Sequence, residues 1–99
     1  MSARSETKER TREKLAEPKQ YQVIMHNDDF TTMQFVVSIL IDIFHKEPTE
    51  AETLMMTVHK KGRARVGRYP YDIAVTRVTE ALSRAREEGF PFRMTVDED

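Results

Sequence analysis

The sequence of 99 residues contains no cysteine and no tryptophan, and it has only three glycines. The lack of cysteine excludes a disulfide scaffold, a thiolate metal site and a cysteine nucleophile. Three glycines leave no room for a glycine-rich loop that holds phosphate groups. No apolar run approaches the roughly 20 residues of a membrane span, and the charged N-terminus lacks the apolar segment of a signal peptide. We therefore expect a soluble cytoplasmic protein that does not bind membranes.

Neither sign of charge is in excess, because a third of the residues are charged and yet the formal net charge is only -1. This balance does not indicate a generally basic nucleic-acid-binding protein. The length suits one domain with a modest core. Residues 1–17 are dense in charge and contain almost nothing to bury, so burial cannot offset their ordering entropy. The sequence therefore predicts a mobile arm over residues 1–17 and a folded domain over residues 18–99.

The first half of the predicted domain contains a strand and two helices. The stretch from Tyr21 to Met25 alternates in the manner of a strand. Thr31 and Gln34 form a capping-box pattern that opens a helix, and Thr49 and Glu52 form a second one. The apolar positions of the first helix follow helical spacing and are Met33, Val36, Val37, Leu40, Ile43 and Phe44.

The second half predicts a strand, a helix and a last strand. Gly62 suits the end of the second helix, and Arg63 to Tyr69 alternates as a strand. A third helix begins at Tyr71 or Asp72 and ends at Gly89, and the C-terminal stretch alternates again. The expected inner face of the third helix is Ile73, Ala74, Val78, Ala81, Leu82 and Ala85. The order β-α-α-β-α-β predicts an α+β domain in which a three-stranded antiparallel sheet packs against helices.

The segment "HNDDFTTM" carries more polar groups than a turn needs, since Asn27, Asp28 and Asp29 stand between the first strand and the first helix. Asn and Asp favour turns, and negative charge is stabilised near a helix N-terminus, so turn and cap chemistry is one interpretation. The alternative is a site for a cation, which is a metal, an amine or a guanidinium. Methionine is flexible and polarizable, so Met33 beside this segment suits an adaptable apolar pocket.

Two further interpretations depend on histidine and arginine. His26, Asp28, Asp29 and His59 are the residue types of a metal site, but no HExxH motif or i, i+4 ligand pair is present. The basic strand from Arg63 to Arg68 favours an RNA- or ribosome-associated domain as the alternative function, although no RNA-binding signature accompanies it. No nucleophile or oxyanion site stands beside Asp29 and His59, which indicates a binding module and not an enzyme.

The strings "YQVIMHNDDFTTMQFV" and "TLMMTVHKKGRARVG", followed by a helix and a strand, resemble the ClpS adaptor family. The likeness runs from about Pro18 or Tyr21 to about Val96. Members of that family deliver proteins with bulky hydrophobic N-terminal residues (Phe, Tyr, Trp or Leu) to a Clp-type AAA+ unfoldase and its peptidase. The resemblance implies a monomeric adaptor without cofactor or metal. It also implies an unfoldase of the ClpA or ClpC class and N-degron substrates as partners.

The resemblance implies three groups of site residues. The substrate α-amine and first peptide unit are held by Asn27, Asp28, Asp29 and His59. The side-chain pocket is lined by Thr31, Met33, Val36, Met55, Val58 and Phe92, with Met33 as its gate. The positions that the family uses at the unfoldase surface are Phe30, Asp72 and Arg77. The chain departs from the family pattern where Thr32 replaces a common proline, Gln34 a common glutamate and His26 an apolar residue.

Overall fold

The computed structural model describes residues 19–99, so the predicted arm lies outside the described residues. The predicted order of elements is confirmed. The strands are β1 (Gln20–His26), β2 (Arg63–Pro70) and β3 (Arg93–Glu98). The helices are α1 (Met33–Asp42), α2 (Pro48–Lys61) and α3 (Tyr71–Glu87). The sheet is antiparallel with the strand order β2-β1-β3, so β1 pairs on both sides.

The alternation of β1 decides how the sheet packs. Val23 and Met25 are fully buried, whereas Ile24 and His26 point to the opposite face and are only half-buried. Since the residues on the Val23 side join the helices in one core, the helices cover that face alone. A bulge between Val23 and Ile24 shifts the pairing with β2, which the sequence did not predict.

The two predicted capping boxes are wrong in their details. Thr32, and not Thr31, is the N-cap of α1, and its hydroxyl accepts the Phe35 backbone N–H at 3.1 Å. At α2 the N-cap position is Glu47, which makes no side-chain capping bond, and Pro48 opens the helix instead. Proline suits the first helical position because its missing N–H has no intrahelical partner there.

The end of α2 is as predicted. Gly62 adopts φ 89°, and its N–H donates to the carbonyl of Val58 at 2.9 Å. Glycine is favoured here because this left-handed conformation brings the Cβ of other residues into conflict with the backbone. The helix therefore stops one residue before β2 begins.

Two predicted inner-face residues are instead exposed. Met33 is 45% exposed and Ile73 is 40% exposed, while the other residues predicted for their helix faces are buried or half-buried. Both residues lie in the first turn of a helix, where Phe35 and Ala74 face the core while Met33 and Ile73 line surface cavities. Within residues 19–99, no helix combines the length and the apolarity needed to cross a membrane.

Candidate functional site

The loop between β1 and α1 is held together by Asp28. One carboxylate oxygen accepts the backbone N–H groups of Phe30 at 2.8 Å and Thr31 at 2.7 Å, and the other accepts the Thr31 hydroxyl at 2.7 Å. An Asp that bonds the backbone two and three residues ahead defines a local turn. Asp28 therefore shapes the loop and binds the Thr31 hydroxyl, while the hydroxyl that caps α1 is that of Thr32.

The same hydrogen bonds set the charge of Asp28. Partial burial raises the pKa of this carboxyl, but the bonds from Thr31 and Phe30 to its ionised form outweigh burial, so the net effect lowers the pKa. Asp28 is therefore a fixed negative charge at neutral pH whose acceptor atoms are already largely used within the loop.

The backbone joins this loop to the end of α2. The N–H of Asn27 donates to the carbonyl of Gly62 at 2.9 Å. Gly62 follows directly on the last turn of α2, which carries His59. The strand end and the helix end are thus held side by side, and this brings the Asn27 segment to the His59 turn although 32 residues separate them in sequence.

A cavity of about 400 Å³ lies where these segments meet. Nine of the ten residues expected to form the amine site and the side-chain pocket line it, and Phe30 and Thr32 join them. The full lining is Asn27, Asp28, Asp29, Phe30, Thr31, Thr32, Met33, Val36, Met55, Val58 and His59. The structure therefore brings both predicted groups around one space.

The cavity has a polar rim and an apolar wall. Asn27, Asp29 and His59 are exposed, and within residues 19–99 their side chains make no hydrogen bond or ion pair. Val36 and Val58 are buried behind them at 5% and 4% exposure, and Met33 and Met55 are accessible. This arrangement offers unused acceptors next to apolar surface, which suits a ligand with a cationic head and an apolar side chain.

Phe92 does not line the cavity. It is 7% exposed and packs edge-on against Phe35, with the ring centroids 5.9 Å apart. Its place in the core follows from its position just before β3, under the N-terminal half of α1. Phe30, which was expected at the unfoldase surface, and Thr32, which was noted only as a departure from the family pattern, also line the cavity. The signal for them was their place inside the loop that carries the predicted amine site.

The residues expected at the unfoldase surface fall in two places. Asp72 and Arg77 lie together on α3 and line a shallow depression of about 250 Å³ with Ile73 and Thr76. Phe30 is 75% exposed at the rim of the cavity and is not part of that depression. Only Asp72 and Arg77 are therefore brought together.

The open face of the sheet holds the other features singled out in the sequence. His26 Nε2 lies 3.1 Å from the hydroxyl of Thr95, and Arg63 and Arg93 are its partners on the two neighbouring strands. Burial and these two guanidinium groups lower the pKa of His26. In the part of the chain that the structure describes, no three His, Asp or Glu side chains are grouped so as to hold a metal ion.

Comparisons with known proteins place the chain among adaptors. The family described as "ATP-dependent Clp protease adaptor protein ClpS" matches residues 16–95. An ATP-dependent Clp protease adapter protein ClpS of Treponema denticola is 53% identical over 85 residues, which cover 86% of this chain and 84% of that relative. The protein of the same name from Nitratidesulfovibrio vulgaris is 46% identical over 86 residues, with 87% and 86% covered.

A solved structure agrees with these relatives. Agrobacterium tumefaciens ClpS2, bound to L-phenylalaninamide, superposes with a TM-score of 0.80 at 36% identity, covering 84% of this chain and all of that one. The antiparallel sheet and the three helices are thus a known fold. These matches do not support the RNA- or ribosome-associated alternative.

Proposed function

This chain belongs to the ClpS family of ATP-dependent Clp protease adaptors, and from that premise we propose how its cavity selects substrates. The protein is an N-degron adaptor, which binds proteins that begin with a bulky hydrophobic residue and presents them to a Clp protease. In our proposal the polar rim receives the free α-amine, and the apolar wall receives the first side chain. The observation that carries the proposal is the meeting of unused acceptors and apolar surface in one cavity.

The α-amine is the feature that distinguishes an N-terminal residue from all internal residues. Its pKa is about 7.7 to 8.0, so it is mostly cationic at neutral pH. The carboxylate of Asp29, the amide oxygen of Asn27 and a neutral ring nitrogen of His59 are acceptors for its three N–H groups. Hydrogen bonds to a charged group contribute roughly 1.5 to 3 kcal/mol each. In this scheme Asp28 does not contact the amine directly but holds the loop that presents Asp29.

Selectivity for a free N-terminus follows from the cost of unpaired groups. An acetylated terminus has lost its charge and two of its donors. The rim acceptors would then lose their water without gaining a partner. A site that is built to pair with donors rejects ligands that lack them for this reason.

The apolar wall supplies the second criterion. Burying a Leu or Phe side chain contributes roughly 1.5 to 3 kcal/mol. Met33 is flexible and exposed at the mouth, so it can move to admit Phe, Tyr, Trp or Leu. The ligand in the Agrobacterium structure, L-phenylalaninamide, has the free amine and the aromatic side chain that both criteria require.

The wider role follows from the family. We propose that the partner is an unfoldase of the ClpA or ClpC class with its peptidase, that a single copy of the chain acts as the adaptor, and that the protein performs no catalysis of its own. The depression that contains Asp72 on α3 is the proposed contact with the unfoldase. The charged arm over residues 1–17 is the segment proposed to act on the unfoldase during delivery.

Fluorescence anisotropy with two labelled peptides tests the amine site. The peptides share one sequence that begins with Leu, and one of them is acetylated. We expect the free peptide alone to bind, and we expect Asp29→Ala to weaken its binding roughly 10- to 100-fold. Asp72→Ala is the matched control, since it removes an exposed carboxylate outside the cavity and should leave peptide binding unchanged. Equal binding of the free and acetylated peptides would refute the proposal.

A further inference from the structure

The face of the sheet that the helices leave uncovered carries three rows of three side chains. Residues paired across an antiparallel sheet point to the same side, so the register defines these rows. The first row is Arg63, His26 and Arg93, the second is Arg65, Ile24 and Thr95, and the third is Arg68, Gln22 and Asp97. We refer to these nine residues as the open face.

The positive charge of the open face is concentrated in the first two rows. Arg63, Arg65 and Arg93 are exposed, and among residues 19–99 none of them has an ion-pair partner. Charges at the other end are compensated, because Arg68 pairs with Asp99 and the third row contains Asp97. The first two rows therefore present three guanidinium groups without an ion pair, although Asp97 and Glu98 line a shared cavity with Arg63 and Arg65. Burial, Arg93 and Arg63 lower the pKa of His26 against a smaller opposing effect of Asp97.

These rows begin at the polar rim of the cavity. His26 directly precedes Asn27, and Arg63 directly follows Gly62, whose carbonyl accepts the Asn27 N–H. A ligand with its side chain in the apolar wall and its amine at the rim has its backbone at the rim too. In the proposed binding mode, the chain of a bound substrate would leave the cavity beside the first row.

We propose that the open face binds acidic residues of the substrate itself, a few positions after its N-terminal residue. The proposal rests on the proposed function, because the substrate must first be anchored by its α-amine. Asp28 and Asp29 disfavour acidic side chains immediately next to the anchor. An extended chain advances about 3.3 to 3.6 Å per residue, and the second row lies roughly 7 Å beyond the first, so we expect the acidic residues to act from about position four to position seven.

Anchoring explains why so small a charged surface can matter. Exposed ion pairs are individually weak and would not hold a free peptide. A segment tethered to an occupied cavity meets the open face at an effective concentration in the millimolar range, so weak contacts add to the affinity of the anchor. We expect an acidic segment to tighten binding about threefold to tenfold at low ionic strength, with a smaller gain at high salt.

The test uses three labelled peptides that begin with Phe-Ser-Gly-Ser and continue with three Glu, three Gln or three Lys. Anisotropy titrations with the full chain should give the order Glu, Gln, Lys from tightest to weakest. Arg65→Gln combined with Arg93→Gln should remove this order and leave the affinity for the Gln peptide unchanged. Arg63 is kept so that the rim beside Gly62 stays intact. Arg84→Gln combined with Arg86→Gln on α3 is the matched control and should preserve the order.

The outcomes separate this inference from the function it rests on. If the Gln peptide binds only with a free N-terminus and the three peptides bind equally, the open face plays no part while the amine site stands. The same conclusion follows if the preference for Glu survives in the double variant of Arg65 and Arg93. If the Gln peptide fails to bind at all, the amine site itself is wrong, and the inference fails with it.

Discussion

The carboxylate of Asp28 accepts two hydrogen bonds from Thr31, one from the backbone N–H and one from the hydroxyl, both at 2.7 Å. The pair closes the loop that carries the polar rim of the cavity. Asp29, the next residue, is exposed and forms no such bonds within residues 19–99. Two adjacent carboxylates of the same motif thus have different hydrogen-bonding environments, and mutations should distinguish their roles.

We expect Asp28→Ala to lower the free energy of unfolding by about 1 to 2 kcal/mol, because the loop loses three hydrogen bonds at a partly exposed position. Asp29→Ala should leave the unfolding free energy unchanged and weaken peptide binding. Asp28→Asn keeps one oxygen for the two backbone N–H groups, so it should recover part of the stability. Urea denaturation and anisotropy measure the two effects. A stable Asp28→Ala protein with the binding defect of Asp29→Ala would show that Asp28 contacts the amine directly.

Thr32 occupies the position where the family commonly has proline, and its structure explains why the replacement is tolerated. Its hydroxyl caps α1, and its φ of -73° and ψ of 151° also suit proline. Thr32→Ala should cost about 1 kcal/mol through the lost cap. Thr32→Pro loses the same cap but restricts the unfolded chain, which returns about 0.4 to 1 kcal/mol. Thermal denaturation should therefore rank Thr32→Pro above Thr32→Ala, and the reverse order would contradict the assigned cap.

Met33→Ala should relax the choice of the first side chain. The residue is 45% exposed, so truncation removes bulk over the cavity without opening the core. Peptides that begin with Ile or Val, which branch at Cβ, should gain roughly tenfold relative to a Leu peptide. Met56→Ala is the control, because Met56 is 37% exposed on α2 and lies outside the cavity. An unchanged ratio of the affinities for the Ile and Leu peptides would show that Met33 does not control entry to the cavity.

Arg77 supports the fold as well as the proposed unfoldase surface. Its guanidinium donates to the carbonyl of Ile43 at 3.0 Å and lies 5.4 Å from the centroid of the Tyr69 ring. Arg77→Ala should therefore cost about 1 to 2 kcal/mol of stability, whereas Asp72→Ala, an exposed change, should cost less than about 0.5 kcal/mol. If Asp72→Ala impairs unfoldase binding at full stability, the α3 surface is the contact. Equal Tm values for the two variants would contradict the structural role of Arg77.

His26 should make stability depend on pH. Burial, Arg93 and Arg63 lower its pKa in the folded protein, so the unfolded chain, with a pKa of about 6.5, binds protons more readily. The protein should thus lose stability as the pH falls below about 6.5. His26→Gln removes this contribution and should flatten the change in urea midpoint between pH 7.5 and pH 5. Parallel pH profiles of the two proteins would show that His26 is not responsible.

The order and class of the elements could be predicted because alternation and helical spacing are local signals. The cap of α1 could not, since two adjacent threonines are candidates in the sequence and only the folded loop shows that Thr31 bonds Asp28 while Thr32 bonds Phe35. Phe92 was misplaced for a related reason. An apolar residue just before a strand fits either the core or a pocket wall. Its contact with Phe35 joins residues that are far apart in sequence, so no local pattern predicts it.

Part of the candidate site could be predicted, because its polar residues are more numerous than a turn between a strand and a helix requires. Asn27, Asp28 and Asp29 exceeded what a turn needs, and the family resemblance joined them to His59. No local pattern reports the bond from Asn27 to Gly62, because it links the end of a strand to the end of a helix that lies 35 residues further along the chain. The three rows of the open face could not be predicted from the sequence either, since their composition depends on the pairing register and on the bulge.

The side chains of Asn27, Asp29 and His59 are exposed, and within residues 19–99 they form no hydrogen bond or ion pair that would stabilise the fold. Under the proposed function, changes at these three positions should therefore alter recognition without a penalty in folding, while the loop bonds of Asp28 and the buried wall of Val36 and Val58 keep the cavity in shape. The specificity of the protein can thus evolve without a change in its stability. A library randomised at the three rim positions should consist mainly of folded proteins, which makes the rim a suitable starting point for engineering readers of other N-terminal residues.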